Sequence, residues 1–64
     1  MPRRELAEEL LAIEEADAWF EYLEATTDQS PERYEEVESW AWARLHQRLR
    51  VIRTRRAKID PAAA

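Results

Sequence analysis

Two stretches of this chain repeat apolar residues every three or four positions, the spacing that lines one face of an α-helix. In residues 3–25 the repeat is Leu6, Leu10, Ile13, Ala16, Phe20 and Leu23, and Trp19 and Ala12 widen the apolar arc to about half the cylinder. Leu11, Ala18 and Tyr22 form a thinner strip on the opposite side. In residues 31–59 the repeat is Tyr34, Val37, Ala41, Leu45, Leu49, Ile52 and Ile59, with Trp42 at its edge. Trp40 and Val51 fall on a different strip, because residues two apart on a helix point about 200° from one another.

The boundaries follow from local chemistry. Ser30 precedes Pro31, so the Ser hydroxyl is placed to cap the first turn, and Pro at the first helical position has a suitable φ and no donor to leave unpaired. Glu32, Glu35 and Glu36 open this second helix and Arg53, Arg55, Arg56 and Lys58 close it, both favourable to the helix dipole. Asp60-Pro61 then stops it, and residues 60–64 read as a frayed tail. Residues 26–30 make a short polar connection without glycine, and a link of that length sets two helices antiparallel.

The chain therefore reads as all-α, a single antiparallel helical hairpin over residues 1–64. Facing the two wide repeats across the hairpin sets Leu6 by Ile52, Ile13 by Leu45 and Phe20 by Val37. The same register sets Glu5 by Arg53, Glu9 by Arg48, Glu14 by Arg44 and Glu24 by Arg33, exposed pairs that select orientation more than they stabilise.

Composition changes this picture in one respect. Below roughly 70–80 residues a single core seldom supplies more than about 3–5 kcal/mol. A 64-residue chain without cysteine has no disulfide to compensate. Two helices also cannot cover arcs this wide between themselves, so the expected state is a homodimeric four-helix bundle with coiled-coil-like packing. The length and hairpin plan are similar to those of the plasmid-copy-number RNA-binding bundle proteins, a likeness of architecture that shares no motif and implies no function. No apolar run approaches a membrane span or a signal peptide, so a cytoplasmic location is expected. Abundant Arg and Ala beside a single Lys fit a GC-rich bacterial or phage genome.

The net charge of −4 hides a division. Residues 1–40 hold thirteen acids against three arginines, a balance of −10, and residues 41–64 hold seven cations against one acid, a balance of +6. Such halves complement each other within the fold before they imply a nucleic-acid site.

Catalytic chemistry finds little footing. Glu14 with Asp17, Glu21 with Glu24, and Glu35 with Glu38 are three apart and share helix faces that could hold Mg²⁺ with its waters. All-α nucleotide pyrophosphohydrolases pair such motifs in the reverse order, and in a segment this acidic the spacings arise by chance. Asp17 is the best single ligand candidate; the plainer expectation is an ion pair with Arg44 or Arg48. A di-iron bundle site needs a His three residues after a Glu, and the one histidine, His46, follows Ala43. Ser30 is committed as a cap and Ser39 has no His one turn away. No cofactor or metal is expected.

The expected function is a non-enzymatic protein–protein association module, an accessory, adaptor or inhibitor subunit, acting as a homodimer or docked on a larger protein. Trp and Arg are enriched at interface hot spots, so Trp40, Trp42, Arg44, Val51 and Trp19 are the candidate partner-binding residues. The alternative is a small regulator that contacts DNA or RNA through Arg50, Arg53, Arg55, Arg56 and Lys58, since a phosphate backbone needs clustered cations but no particular spacing. A Mg²⁺-dependent all-α hydrolase comes third.

Overall fold

The structure is a computed structural model that describes residues 2–59. Two helices, α1 (Pro2–Thr26, 25 residues) and α2 (Pro31–Ile59, 29 residues), pack side by side as an antiparallel hairpin. The molecule measures 48 × 17 × 11 Å, so its thin dimension is about the width of one helix. A plate one helix thick can bury only the seam between its two members. Among the described residues no helix is long and apolar enough to cross a membrane. The expected stop at Asp60-Pro61 and the tail at 60–64 lie outside the described residues.

The connection is closed by side chains rather than by glycine, of which the chain has none. Asp28 takes the left-handed backbone conformation (φ 58°) at the reversal, which the short polar Asp side chain tolerates better than most residues. The last carbonyls of α1 are met by hydroxyls and an amide: Thr26 Oγ1 donates to the Tyr22 carbonyl (2.9 Å), Thr27 Oγ1 to that of Leu23, and Gln29 Nε2 to that of Ala25 (3.2 Å). The start of α2 is capped as expected, with Arg33 N–H donating to Ser30 Oγ (3.2 Å) and Tyr34 N–H to the Ser30 carbonyl (2.7 Å).

The inner face of α2 is the one its periodicity indicates: Val37, Ala41, Leu45 and Ile52 are buried, and Leu49 and Ile59 are half-buried. Tyr34, at the start of the same repeat, is 43% exposed.

The inner face of α1 is not the expected one. Leu6, Leu10, Ile13, Phe20 and Leu23 are 53–64% exposed, while the thinner strip meets α2, with Leu11 and Ala18 buried and Tyr22 half-buried. Charge explains the choice. The wide apolar arc also contains Glu9, Asp17 and Glu24 at the same helical phase, and turning it toward the inner face of α2, whose centre at Ala41, Leu45 and Ile52 offers no cation, would bring carboxylates into the seam unpaired. The row of Ala7, Leu11, Ala18 and Ala25 has no carboxylate at its centre, and its small side chains fit between two helices. This rotation also swings Glu14 and Glu21 to one edge of the seam and Glu15 to the other, where α2 offers arginines.

The ion pairs correspondingly differ from the expected ones. Arg44 meets Glu21 rather than Glu14, and Arg48 meets Asp17 and Glu21 rather than Glu9, about two helical turns nearer the connection. Cα–Cβ bonds tilt toward the N-terminus of their own helix. In an antiparallel pair, long side chains therefore reach past one another, and residues at equal height are not the ones that touch. The expected Glu5–Arg53, Glu9–Arg48 and Glu24–Arg33 pairs are likewise replaced: Arg33 bridges Glu36 on its own helix (3.4 Å), and among the described residues Arg53 makes no ion pair.

Candidate association surface

The seam divides the hairpin into two flanks of different chemistry. On the first, Asp17 and Glu21 of α1 interlock with Arg44 and Arg48 of α2. Arg44 Nε donates to Glu21 Oε1, Arg48 Nη1 to Glu21 Oε2 (3.4 Å), and Arg48 Nη2 to Asp17 Oδ2 (3.3 Å). Arg55 Nη1 extends the row by donating to Glu14 Oε2 (3.1 Å). Hydrogen bonding from Arg44, with the charge of Arg48 added, holds the Glu21 carboxyl below its ordinary value of 4.5. The same contact raises the Arg44 guanidinium above its ordinary value. Most of these groups are well exposed, so their attraction is screened and they set register more than stability. A shallow groove of about 580 Å³ runs along this flank, lined by Glu14 and Asp17 from α1 and by Arg44, Arg48, Val51 and Arg55 from α2.

The second flank is aromatic. Trp19 and Tyr22 of α1 have ring centroids 6.3 Å apart, Tyr22 and Trp42 meet edge-on at 5.5 Å, and Trp42 stands 4.4 Å from His46. Tyr22 Oη donates to Glu38 Oε2 (2.7 Å), and Arg56 Nη1 reaches Glu15 Oε2 at 3.8 Å. The hydrogen bond to Glu38, with partial burial and the Glu38 charge behind it, pushes the Tyr22 hydroxyl up from 10.0 to about 12.

The five expected partner-binding residues are thus divided between the flanks. Trp19 and Trp42 join through Tyr22 on the aromatic side. Arg44 and Val51 line the ionic groove, and Trp40, one turn before Arg44, continues their row toward the connection with 55% of its surface exposed. Of the five candidate phosphate contacts, Arg55 and Arg56 are engaged with Glu14 and Glu15. Arg50, Arg53 and Lys58 are exposed and make no ion pair among the described residues. Asp17 takes the plainer of its two expected roles, an ion pair with Arg48. Glu21 and Glu38, halves of the paired-carboxylate motifs, are engaged by Arg44 and Tyr22. Among the described residues no three acids, histidines or cysteines come together where they could hold a metal ion.

The most extensive exposed apolar row among the described residues is one the periodicity assigns to the interior. Leu6, Leu10, Ile13 and Phe20 stand outward on α1, and Asp17, at the same phase, both interrupts the row and lines the groove. The row therefore borders the ionic flank. Its one advance signal was the set of acids within the wide apolar arc. The chain matches no protein-family model, no curated protein and no solved structure.

Proposed function

We propose that this protein is a small, non-enzymatic association module whose folded hairpin is completed by another chain. That chain is either a second copy, which makes a four-helix bundle, or a larger assembly on which the hairpin docks. The observation that carries this reading is the outward row of α1, whose four large apolar side chains stay more than half exposed. Energetics point the same way. Among the described residues the buried core is six side chains, two of them alanines, and each large member contributes only about 1.5–3 kcal/mol. Ordering the backbone costs about 1–2 kcal/mol per residue, over two long helices.

Helix content and melting temperature, followed by circular dichroism across about three decades of concentration, test this. The expected result is a helix-poor chain when dilute and alone, with melting that rises on association and a rise that disappears with Ile13→Asp and Phe20→Asp together. A fully helical chain whose melting ignores both concentration and that double change would overturn the reading.

A second reading retains support from Arg50, Arg53 and Lys58, which are exposed cations without ion-pair partners among the described residues. Contact with a nucleic-acid backbone through these three predicts binding that weakens steeply with salt, and reversing their charges abolishes it. Undetectable binding to duplex and single strands in about 50 mM salt removes it.

A further inference from the structure

We infer that the outward row of α1 is covered by a second copy of this chain, with α1 of each copy lying on α2 of the other. This rests on the association reading above and names its partner.

Area is the first argument. The chain exposes 5239 Å², whereas a folded monomer of 7.6 kDa is expected to expose about 4,300 Å². A plate one helix thick thus leaves more surface uncovered than a compact monomer of its mass, the outward row of α1 included.

Charge then selects which surface of the second copy fits. Helix α1 carries eight acids against Arg3 and Arg4, so packing α1 on α1 would oppose two helices of formal charge −6. The second half of α2 supplies the complement: from Ala41 to Ile59 it carries seven cations and no acid. It also has an apolar row of its own. Trp40 and Val51, separated by three turns, stand 55% and 46% exposed on the flank where the groove lies.

Geometry joins the two. The α1 row, through Asp17, and the α2 row, through Arg44 and Val51, border opposite sides of one groove and so share one face of the hairpin. By helical phase Leu6 and Leu10 on α1, and Trp40 and Val51 on α2, point away from the seam by about a quarter to a third of a turn, which is how a helix in a four-helix bundle addresses its second neighbour, while Ile13 and Phe20 lie further round α1. A two-fold axis running along the helices lays this face on its copy. That operation leaves heights unchanged and sets every α1 antiparallel to the α2 it meets. Leu6 and Val51 stand at the same height, counted from Thr26 and Pro31, so Leu6 meets Val51 across the axis. The contact is isologous and closed, so association stops at two chains.

The chain contains no cysteine, which makes cross-linking unambiguous. Two variants, Leu6→Cys and Val51→Cys, are made separately, mixed, refolded together and mildly oxidised; both positions are exposed in the hairpin. A disulfide forms only where Cα atoms come within about 7 Å. The expected product is the mixed Leu6→Cys/Val51→Cys pair, well above the half that random pairing gives. In parallel, Val51→Asp reduces the light-scattering mass from two chains to one, while Leu23→Asp, placed away from the face, keeps it at two. Predominant pairing of Leu6→Cys with itself, or a Val51→Asp protein that remains dimeric, would overturn the assignment. A chain that stays helix-poor and monomeric at every concentration overturns the second copy as the partner and leaves the association reading intact. A stable, fully helical monomer overturns both.

Discussion

Helix α1 has two apolar rows, and the smaller one is inside. Leu11 and Ala18 are buried against α2, while Leu6, Leu10, Ile13 and Phe20, with far more apolar surface, face outward. Apolar area alone would have chosen the opposite face. What differs between the rows is the charge beside them: the large row carries Glu9, Asp17 and Glu24 within its arc, and the small one carries its acids at the edges, where arginines of α2 wait. An ion kept at the edge of a seam stays hydrated, and one forced into it does not. The hairpin covers one of these rows and leaves the other exposed.

Substitutions at the seam give the largest expected effect. Leu45 is 2% exposed at the centre of α2's inner face, so Leu45→Asp leaves the chain unfolded, and Leu45→Ala costs about 2–5 kcal/mol in urea denaturation. A cost below about 1 kcal/mol would place Leu45 outside the seam.

A pair of alanines tests the comparison of rows directly. Ala18 is 1% exposed and Ala16, two residues earlier, is exposed. Ala18→Leu is therefore expected to destabilise the protein by about 1–3 kcal/mol through overpacking, and Ala16→Leu to change it by less than about 0.5 kcal/mol. The reverse order would mean that the wide row faces α2 after all. Ser30→Ala, which removes the α2 cap without touching either row, should cost about 1 kcal/mol.

The flanks respond to pH in opposite directions. Glu21 has a lowered folded pKa, so the stability it brings is present above its ordinary value of 4.5 and is lost as pH falls through the folded value. Tyr22 has a raised folded pKa, so its contribution is complete below pH 10 and fades as pH rises toward about 12. Melting temperature against pH should therefore lose its acid-side dependence partly in Glu21→Gln and its alkaline-side dependence in Tyr22→Phe. An unchanged alkaline limb in Tyr22→Phe would mean that the hydroxyl does not hold Glu38 in solution. The smallest effect on folding is expected for Trp40→Ala: the hairpin's own stability changes by less than about 0.5 kcal/mol, while association weakens. If Trp40→Ala lowers helix content even at concentrations that saturate association, Trp40 belongs to the core.

Much of the hairpin was legible in local sequence, because caps, turns and helical periodicity depend on residues a few positions apart. Ser30-Pro31 marked the start of α2, the glycine-free link marked the reversal, and Val37, Ala41, Leu45 and Ile52 marked α2's buried face. The division of charge likewise announced that α1 acids would meet α2 arginines. Three matters were decided only by tertiary structure. The rotation of α1 about its axis depends on desolvation, which exists only once a second helix excludes water from the seam, and it placed Ala18 inside and Ile13 outside. The partners of Arg44 and Arg48 depend on the direction in which long side chains lean, which numbering along the chain does not contain. The division of Trp19 and Trp42 from Trp40 and Val51, between an aromatic flank and an ionic groove, follows from both, because which side of a helix is a flank is defined only by the face already used.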